Sequence, residues 1–298
     1  MKIGVDIGGS HMQIGLINEN NEIIEEFYED LKNKENVSNF IIEYLDEKIS
    51  EFKKEYKIEK IGISIPGNPK GTIVENINNL GISKIDFKCI EEKHNIKVRV
   101  LNDGLAAAIA EKKLGKMKEV KDCVFLCMGT GIGSAVFLND ILLRPIRNSG
   151  FEIGHMIIDK NGEMCKCGKR GCFETYCSMK KFKDDVRRIL LSLGENEQTL
   201  HGESLKLILN KNILNKDIQK IIQNYIDNMI IGLSNIIDIF EPQMICFGGS
   251  FAYYKEVLFD NLIEQMQKRK YVFNNQGELP KMVLAKFENK AGVIGSII

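Results

Sequence analysis

Hydrophobic and polar positions divide this 298-residue chain into short apolar runs and longer stretches with helical spacing. KIGVDI at 2–7 is an apolar run that ends in glycines, and MQIGLI and EIIEEF follow it after polar turns. Apolar runs bounded by Gly and Asn are typical of β-strands, so residues 2–27 are predicted to form three strands. Residues 35–56 carry apolar side chains three and four positions apart, which predicts a helix with one packed face.

Two further strands are predicted in the first third of the chain. KIGISIPG at 60–67 is an apolar run that ends at Pro66-Gly67, and KVRVLND at 97–103 ends in two polar residues. The alanine-rich stretch 104–115 is predicted to be a helix, with Asp103 as its N-cap and Gly115 as its end.

The first strand–turn–strand pattern recurs about 120 residues later. Residues 123–143 repeat the layout of residues 3–24, in which an apolar strand, a Gly-rich turn and two more strands follow one another. This partial repeat predicts two similarly built α/β domains that face each other. We expect domains at 1–117 and 118–288, with the final helix of 289–298 packing back on the first.

The second half of the chain alternates predicted helices with predicted strands. The predicted helices are 178–193, 204–210, the largely buried 214–240, and 291–297; the predicted strands are 244–250 and 282–287.

Composition excludes several classes of protein. The chain has 41 basic and 41 acidic residues, and this zero net charge argues against bulk electrostatic binding to nucleic acid or membranes. No apolar run approaches the length that spans a bilayer, and the N-terminus lacks a secretory apolar region. Eight cysteines without an export signal predict reduced thiols and a cytoplasmic protein.

Three Gly-rich turns follow predicted strands: DIGGS (6–10), GTGIG (129–133) and FGGS (247–250). Glycine lets backbone N–H groups approach phosphate oxygens closely, and Ser10 and Thr130 add hydroxyl donors. One such turn is often only a turn, but matching turns in both halves predict a nucleotide held between the domains. None of them has the spacing of the P-loop motif G-x4-G-K-[ST].

Three polar residues at strand ends are candidates for chemistry. Asp6 is expected to orient Mg²⁺ beside the phosphates, unless it merely caps its turn. Asp103 follows a strand end, where α/β sheets bind ligands, and can accept the proton of an attacking hydroxyl; its alternative role is helix capping. The amide of Asn102 can both donate to and accept from a sugar hydroxyl.

The stretch 152–174 carries the most specific pattern in the chain. Cys165, Cys167 and Cys172, with His155 ten residues before them, are a complete ligand set for structural, tetrahedral zinc. A disulfide or free buried thiols are the alternatives. The second ring nitrogen of His155 is expected to reach a substrate hydroxyl. Glu152 and Glu174 flank these ligands, and the alternative for both acids is surface salt bridges.

These motifs together resemble the ROK family (repressor, open reading frame, kinase) of sugar kinases and sugar-sensing repressors. The resemblance covers nearly the whole chain, and its E-x-G-H and C-x-C-G-x-x-G-C-x-E pieces are highly specific. The matching pieces are VDIGGSH, LNDGLAAA, MGTGIGSAV, FEIGHM, CKCGKRGCFETYCS, EPQMICFGGS and AGVIGSI. The resemblance implies an actin-like (ribonuclease H-type) α/β fold with two domains and an interdomain cleft.

The resemblance also implies an activity and a set of roles. It implies a kinase that uses ATP, Mg²⁺ and structural Zn²⁺, and that transfers the γ-phosphate to a hexose, usually at the 6-hydroxyl, with Asp103 as base. Members of the family are commonly dimers and sometimes tetramers, so a homodimer is expected. The implied sugar-binding residues are Gly67, Asn102, Asp103, Glu152, His155 and Glu174, and the zinc ligands are His155, Cys165, Cys167 and Cys172. The expected ATP-binding residues are Asp6, Gly8, Gly9, Ser10, His11, Gly129, Thr130, Gly131, Gly133, Gly248 and Gly249.

Two departures from the family pattern bear on the substrate. His11 stands where many members carry Lys, and this His and the ETYCS sequence are similar to D-allose kinases. Residues 66–82 resemble a sugar-specificity segment but differ from the common glucokinase version. D-allose and D-glucose are therefore the expected substrates. N-acetylmannosamine and N-acetylglucosamine kinases share every catalytic motif and stay as alternatives.

Two non-kinase functions are the alternatives to this hypothesis. Repressors of the family carry a helix-turn-helix before the first phosphate turn, and here that turn begins at residue 6, so we expect no such domain. A non-catalytic sugar sensor would be expected to lack Asp103 or a phosphate turn, and the sequence retains both.

Overall fold

The computed structural model describes residues 1–32, 34–146, 150–269 and 278–298, and the chain divides into two compact units. Unit 1 comprises Met1–Glu119, Leu143–Phe151 and Lys286–Ile298, and unit 2 comprises Val120–Leu142 and Glu152–Ala285. The boundary expected near residue 117 had assigned residues 143–151 to the second domain, whereas they cluster with unit 1.

The described strands and helices alternate along the chain. The strands are β1 (Lys2–Ile7), β2 (His11–Ile17), β3 (Ile23–Asp30), β4 (Lys60–Ile65), β5 (Ile73–Ile77), β6 (Ile82–Asp86), β7 (Val98–Asn102), β8 (Cys123–Met128), β9 (Ile132–Leu138), β10 (Ile141–Leu142), β11 (Met244–Gly249) and β12 (Lys281–Leu284). The α-helices are α1 (Val37–Glu55), α2 (Lys88–His94), α3 (Asp103–Leu114), α4 (Phe173–Cys177), α5 (Met179–Ser192), α6 (Gly202–Lys211), α7 (Lys216–Phe240), α8 (Asp260–Lys268) and α9 (Ala291–Ile297).

Each unit is built on one five-stranded sheet, and the two sheets have the same order. The unit 1 sheet runs β3-β2-β1-β4-β7, and the unit 2 sheet runs β10-β9-β8-β11-β12. In each sheet the first three strands are antiparallel neighbours, and the last three are parallel. The repeat seen in the sequence therefore corresponds to a repeated sheet topology. β5 and β6 form a separate antiparallel hairpin.

Helix α9 packs against the unit 1 sheet through a pair of glycines. Gly4 and Gly62 are register partners on β1 and β4. A Cβ atom on Gly4 would lie 2.2 Å from the Val293 carbonyl oxygen, and one on Gly62 would lie 2.2 Å from that of Ser296. Because no side chain fits between strands and helix, these two glycines are what allow α9 to approach the sheet so closely.

The start of α3 differs from the prediction by one residue. Asn102 is the N-cap, and its side-chain oxygen accepts a hydrogen bond from the Leu105 N–H at 3.1 Å. Asp103 is the first helical residue, and its carboxylate accepts from the Gly104 N–H at 2.8 Å. The prediction that Asp103 is the N-cap is therefore wrong, because the side chain of Asn102 accepts the hydrogen bond from the unpaired Leu105 N–H of the first helical turn. Gly115 ends the helix as predicted.

A buried carboxylate on α3 holds two distant segments of unit 1. The side chain of Glu111 is fully buried, with 0% exposure. One oxygen accepts from the N–H groups of Lys286 and Phe287 at 2.6 and 2.9 Å, and the other accepts from Lys116 at 2.8 Å. Lys116 lies near the end of the first segment of unit 1, and Lys286 begins its last segment.

Replacing this carboxylate is expected to destabilise the protein. Glu111→Ala leaves three backbone N–H groups without their acceptor, and the free energy of unfolding should fall by about 3 kcal/mol. Urea unfolding measures this change, and Lys113→Ala, an exposed position on the same helix, is the control. Equal stability of the two variants would contradict a structural role for Glu111.

Candidate functional site

Four of the predicted site residues of unit 1 come together at the carboxyl ends of three parallel strands. Register places Asp6 of β1 beside Ser64 of β4, and the Ser64 hydroxyl donates to the Asp6 carboxylate at 2.6 Å. The side-chain amide of Asn102, at the end of β7, donates to the Gly67 carbonyl oxygen at 2.9 Å. Asp103 follows directly at the start of α3. This edge of the sheet is where open α/β sheets bind ligands.

The two carboxylates of this group have raised pKa values. Burial, with repulsion from Asp103, raises the pKa of Asp6 to about 6, although the Ser64 hydrogen bond opposes the change. Desolvation by the surrounding residues also raises the pKa of Asp103, and the hydrogen bond from the Gly104 N–H opposes this increase. The Asp103 side chain itself is still accessible to solvent. A reactive hydroxyl could therefore reach a carboxylate that is a stronger base than an ordinary Asp.

The raised pKa of Asp6 gives a pH-dependent stability. An acid whose folded pKa of about 6 exceeds its unfolded value of 3.8 binds more protons folded than unfolded between these two values. The free energy of unfolding should therefore fall as pH rises from about 4 to about 6, by at most about 3 kcal/mol. Asp6→Asn removes this dependence, so its Tm should exceed that of the wild type at pH 8 and equal it at pH 4.

Thermal unfolding at both pH values, without nucleotide or divalent cations, measures this difference. Asp238→Asn, an exposed acid in unit 2, is the control for a lost charge. An Asp6→Asn protein that is less stable than the wild type at pH 8 would refute the assignment of a destabilising carboxylate.

Helix α9 closes one side of the Asp6 carboxylate. A Cβ atom on Gly292 would lie 2.2 Å from the Asp6 Oδ1 atom, so only glycine fits at this position. Sequence reasoning identified neither Gly292 nor Ser64 as part of the site. Gly292 lies in the AGVIGSI piece that resembles the family, and this was the one indication of its importance in the sequence. Its contact with Asp6 spans 286 positions of sequence and could not be predicted from it.

The first Gly-rich turn joins β1 to β2. The Gly8 N–H donates to the His11 carbonyl oxygen at 2.8 Å, and this bond closes the turn. The Ser10 hydroxyl lies 3.2 Å from Nδ1 of His11, and the His11 side chain is exposed. The turn thus presents a hydroxyl, an imidazole and the backbone of Gly9 beside Asp6, as expected for a phosphate-binding turn.

The two Gly-rich turns of unit 2 also lie side by side. Register pairs Gly249 with Met128, directly before the turn that contains Gly129, Thr130, Gly131 and Gly133. Gly249 has φ of 74°, and a Cβ there would lie 2.4 Å from the Met128 carbonyl oxygen. Both turns therefore stand at the carboxyl ends of adjacent strands, β8 and β11, and Gly248 precedes the second of them.

Helix α5 touches both turns and contributes a cation that the sequence analysis missed. The Lys180 N–H donates to the Gly129 carbonyl oxygen at 3.1 Å. The Lys183 ammonium donates to the Ser250 hydroxyl at 3.1 Å, and burial lowers its pKa. A part-buried ammonium group beside a Gly-rich turn is suited to contact a phosphate. Helical spacing alone could not have indicated that Lys183 faces Ser250.

Four side chains of unit 2 form a cluster that could hold a metal ion. The ligand atoms of His155, Cys165, Cys167 and Cys172 all lie within 4.8 Å of one another. The Cys165 sulfur is 3.7 Å from Nδ1 of His155, and the sulfurs of Cys167 and Cys172 are 3.6 Å apart. Tetrahedral zinc, with Zn–S of about 2.3 Å and Zn–N of about 2.0 Å, gives ligand separations of about 3.5–3.8 Å.

The chemistry of the cluster also fits a cation. Burial and the two neighbouring thiols raise the pKa of Cys172 to about 12, because adjacent thiolates would repel one another. A divalent cation removes this repulsion and makes the thiolate the stable form. The separations and the thiol chemistry therefore fit zinc, whereas free buried thiols would leave this close contact of sulfurs without a function.

The two predicted acids meet the cluster at its histidine. Glu152 Oε2 lies 3.8 Å from Nε2 of His155, and Glu174 Oε1 lies 3.7 Å from Nδ1. Among the described residues, His155 is the one ion-pair partner of each acid. The other oxygen of Glu174 accepts from the Ile132 N–H at 3.2 Å, and a Cβ on Gly131 would lie 2.5 Å from it. Glu174 thus joins the cluster to the 129–133 turn.

Comparison with known proteins identifies the family. The model of the ROK family matches residues 2–298. The chain belongs to the ROK family. Within the described residues, no helix is long and apolar enough to cross a membrane.

ROK proteins of both functional classes are similar to this chain. It is 26% identical to the xylose repressor of Caldicellulosiruptor bescii, over 99% of this chain and 76% of that protein. It is 25% identical to the glucokinase of Thermotoga maritima, over 99% of this chain and 95% of that protein. The structure of a ROK family glucokinase from Streptomyces griseus, in complex with glucose and AMPPNP, superposes with a TM-score of 0.80 at 21% identity, covering 99% and 97% of the two chains.

These findings settle the fold and the broad class. The fold is the actin-like sugar-kinase fold that the sequence predicted, so that prediction is confirmed. As a member of the ROK family, the chain is a sugar kinase or a sugar-responsive regulator.

Proposed function

We propose that this ROK protein is an ATP-dependent sugar kinase and that Asp103 is its general base. The observation that carries the proposal is the state of the Asp103 carboxylate. It is accessible and its pKa is raised. Asn102 rather than Asp103 makes the helix cap, although one Asp103 oxygen accepts from the Gly104 N–H.

The neighbouring groups suit phosphoryl transfer. Mg²⁺ and ATP would supply the transferable phosphate and neutralise its charge, and Asp6 is proposed to orient the cation. Asp103 takes the proton of the attacking sugar hydroxyl, which is proposed to be the 6-hydroxyl. Asn102, with one amide hydrogen on Gly67, positions the sugar through its remaining donor capacity. The Gly-rich turns of both units are proposed to hold the nucleotide.

The cysteine cluster is proposed to bind structural zinc. Four protein ligands leave the metal no open position, so its contribution is to hold the 152–174 loop. Nδ1 of His155 lies on the cluster, which leaves Nε2 on the side of Glu152. With Nδ1 on the metal, Nε2 carries the proton and can donate to a sugar hydroxyl. Sugar contacts by Glu152, His155 and Glu174 are part of this proposal.

The proposed substrate is an aldohexose, D-allose or D-glucose, with N-acetylmannosamine and N-acetylglucosamine as alternatives. The segment expected to set specificity, residues 66–82, forms β5 and the first residue of β6, and Asn102 holds it at Gly67. The segment also approaches the turn that bears His11, because a Cβ atom on Gly9 would lie 3.5 Å from the Cβ atom of Asn79. We further propose a cytoplasmic homodimer.

ADP release across a sugar panel tests the function. The panel holds glucose, allose, mannose, fructose, N-acetylmannosamine and N-acetylglucosamine, at saturating ATP and Mg²⁺. One strong responder supports the kinase and names its substrate. Folded, zinc-loaded protein that is silent with every sugar would count against it.

A sugar-responsive regulator without kinase activity is the second candidate. The observation that favours it is the sequence identity to a xylose repressor, 26%, which is as high as the 25% identity to a glucokinase. Isothermal titration calorimetry with the same sugars and xylose separates the two. Sugar binding without ADP release would support the regulator, and turnover would exclude it.

A further inference from the structure

A basic cavity lies along the open edge of the unit 1 sheet, and none of the roles above uses its cationic side chains. Among the described strands, β7 pairs with β4 alone, so its other side is an edge. That edge lines an open cavity of about 860 Å³, together with residues 68–72 and 144–146. A volume of this size is typical of small-molecule sites.

The charge in this cavity is strongly one-sided. Its walls carry one carboxylate, Glu59, against five cations, which gives a local charge of +4 in a chain whose net charge is zero. The five cationic residues are Lys60, Lys70, Lys97, Arg99 and Arg144. In the part of the chain that the structure describes, none of the five forms an ion pair with a carboxylate. The Lys60 ammonium donates to the Ile297 carbonyl oxygen at 2.9 Å, so five cations without a carboxylate partner are concentrated in the walls of one cavity.

The cluster is expected to destabilise the folded protein. Arg99 and Lys60 are half-buried, while Lys97 and Arg144 are exposed. Burial, and then repulsion from Arg144, lowers the pKa of Arg99; burial, and then Arg99, lowers that of Lys60. Unpaired cations that are desolvated and repel one another raise the free energy of the folded state. A bound anion would offset this cost, because it stabilises the folded state by mass action.

We propose that this cavity binds the phosphate group of a small phosphate ester, with Arg99 and Arg144 as its main contacts. The planar guanidinium group donates two parallel hydrogen bonds to phosphate oxygens, which makes Arg the residue suited to this anion. Asn102 and Leu105 line the same cavity and offer an amide and an apolar surface to the organic part. A sugar phosphate has this chemistry, and free inorganic phosphate shares its anionic part.

Calorimetry without nucleotide tests the proposal at low salt. The probes are glucose 6-phosphate, inorganic phosphate and glucose, titrated into wild type, Arg99→Gln, Arg144→Gln and the double variant. We expect glucose 6-phosphate to bind, and each single variant to weaken it by about tenfold or more, since charge-assisted hydrogen bonds are lost. Lys113→Gln removes an exposed charge of the same unit outside the cavity and should change nothing.

The two sources of the anion give different results. Glucose 6-phosphate that binds at least tenfold tighter than inorganic phosphate supports an ester site, and equal affinities support a site for free phosphate. Equal affinities of wild type and double variant, or no binding of either anion to the wild type, would overturn the proposal.

A stability measurement guards against variants that fail to fold. Because Arg99 is repelled by its neighbours, ligand-free Arg99→Gln should have a Tm equal to or above that of the wild type, and phosphate should raise the wild-type Tm more than the variant's. The titrations involve no turnover, so a kinase assay without ADP release would not contradict the anion site. An active kinase that binds no anion in these titrations would contradict the anion site but not the proposed kinase function.

Discussion

Asp103→Asn is expected to lower kcat for sugar phosphorylation by about 10²–10⁴-fold, the usual contribution of a general base. The amide keeps the size of the side chain and can still accept the Gly104 hydrogen bond, so the helix start should be retained. What is lost is the ability to take the proton of the attacking hydroxyl. The dissociation constant of the sugar, measured by calorimetry, should stay within about a few-fold, because proton transfer is not part of binding.

The control for this variant is Asp238→Asn, which removes an exposed carboxylate of unit 2. Its kcat should match the wild type. Turnover of Asp103→Asn within a few-fold of the wild type would show that Asp103 is not the base. A matching loss of sugar affinity and stability would instead point to a structural role at the start of α3.

Loss of the metal is expected to have the second large effect. Purified protein should contain one zinc per chain, and Cys172→Ser should lose it together with the ordered 152–174 loop. Structural zinc contributes much of the folding free energy of the segment it binds, so we expect Tm to fall by about 10 °C. Kinase activity should fall with it, because His155 and Glu174 contact the cluster.

Metal analysis, thermal unfolding and ADP release are the three measurements for this prediction. Cys89→Ser is the matched control, since Cys89 is an exposed thiol of unit 1 outside the cluster. Chelation of wild-type protein should reproduce the Cys172→Ser result, and added zinc should reverse it. Protein that contains no zinc after purification in metal-replete medium would end the proposal of a zinc site.

Most of the strands and helices, and the clustering of the cysteines, could be predicted from local sequence, whereas β5, β6, α2, α4 and α8 were not predicted. Apolar runs bounded by glycine and asparagine predicted β1, β2, β3, β4 and β8, because burial of a strand requires such a run whatever lies around it. Cys165, Cys167 and Cys172 are close in sequence, and a short loop can bring them together without help from the rest of the fold. The two alanine- and isoleucine-rich helices, α3 and α7, were predicted for the same local reason.

The contacts of the candidate site were decided by tertiary structure. Asn102 rather than Asp103 caps α3 because the strand end sets the backbone direction there, which leaves the Asp103 carboxylate available. Gly292 meets Asp6, and Lys183 meets Ser250, across long separations in sequence that no local pattern encodes. The pKa of Asp6 depends on these neighbours, since burial is a property of the folded chain. Sequence determined the elements and the chemical groups; packing of distant segments determined which groups meet.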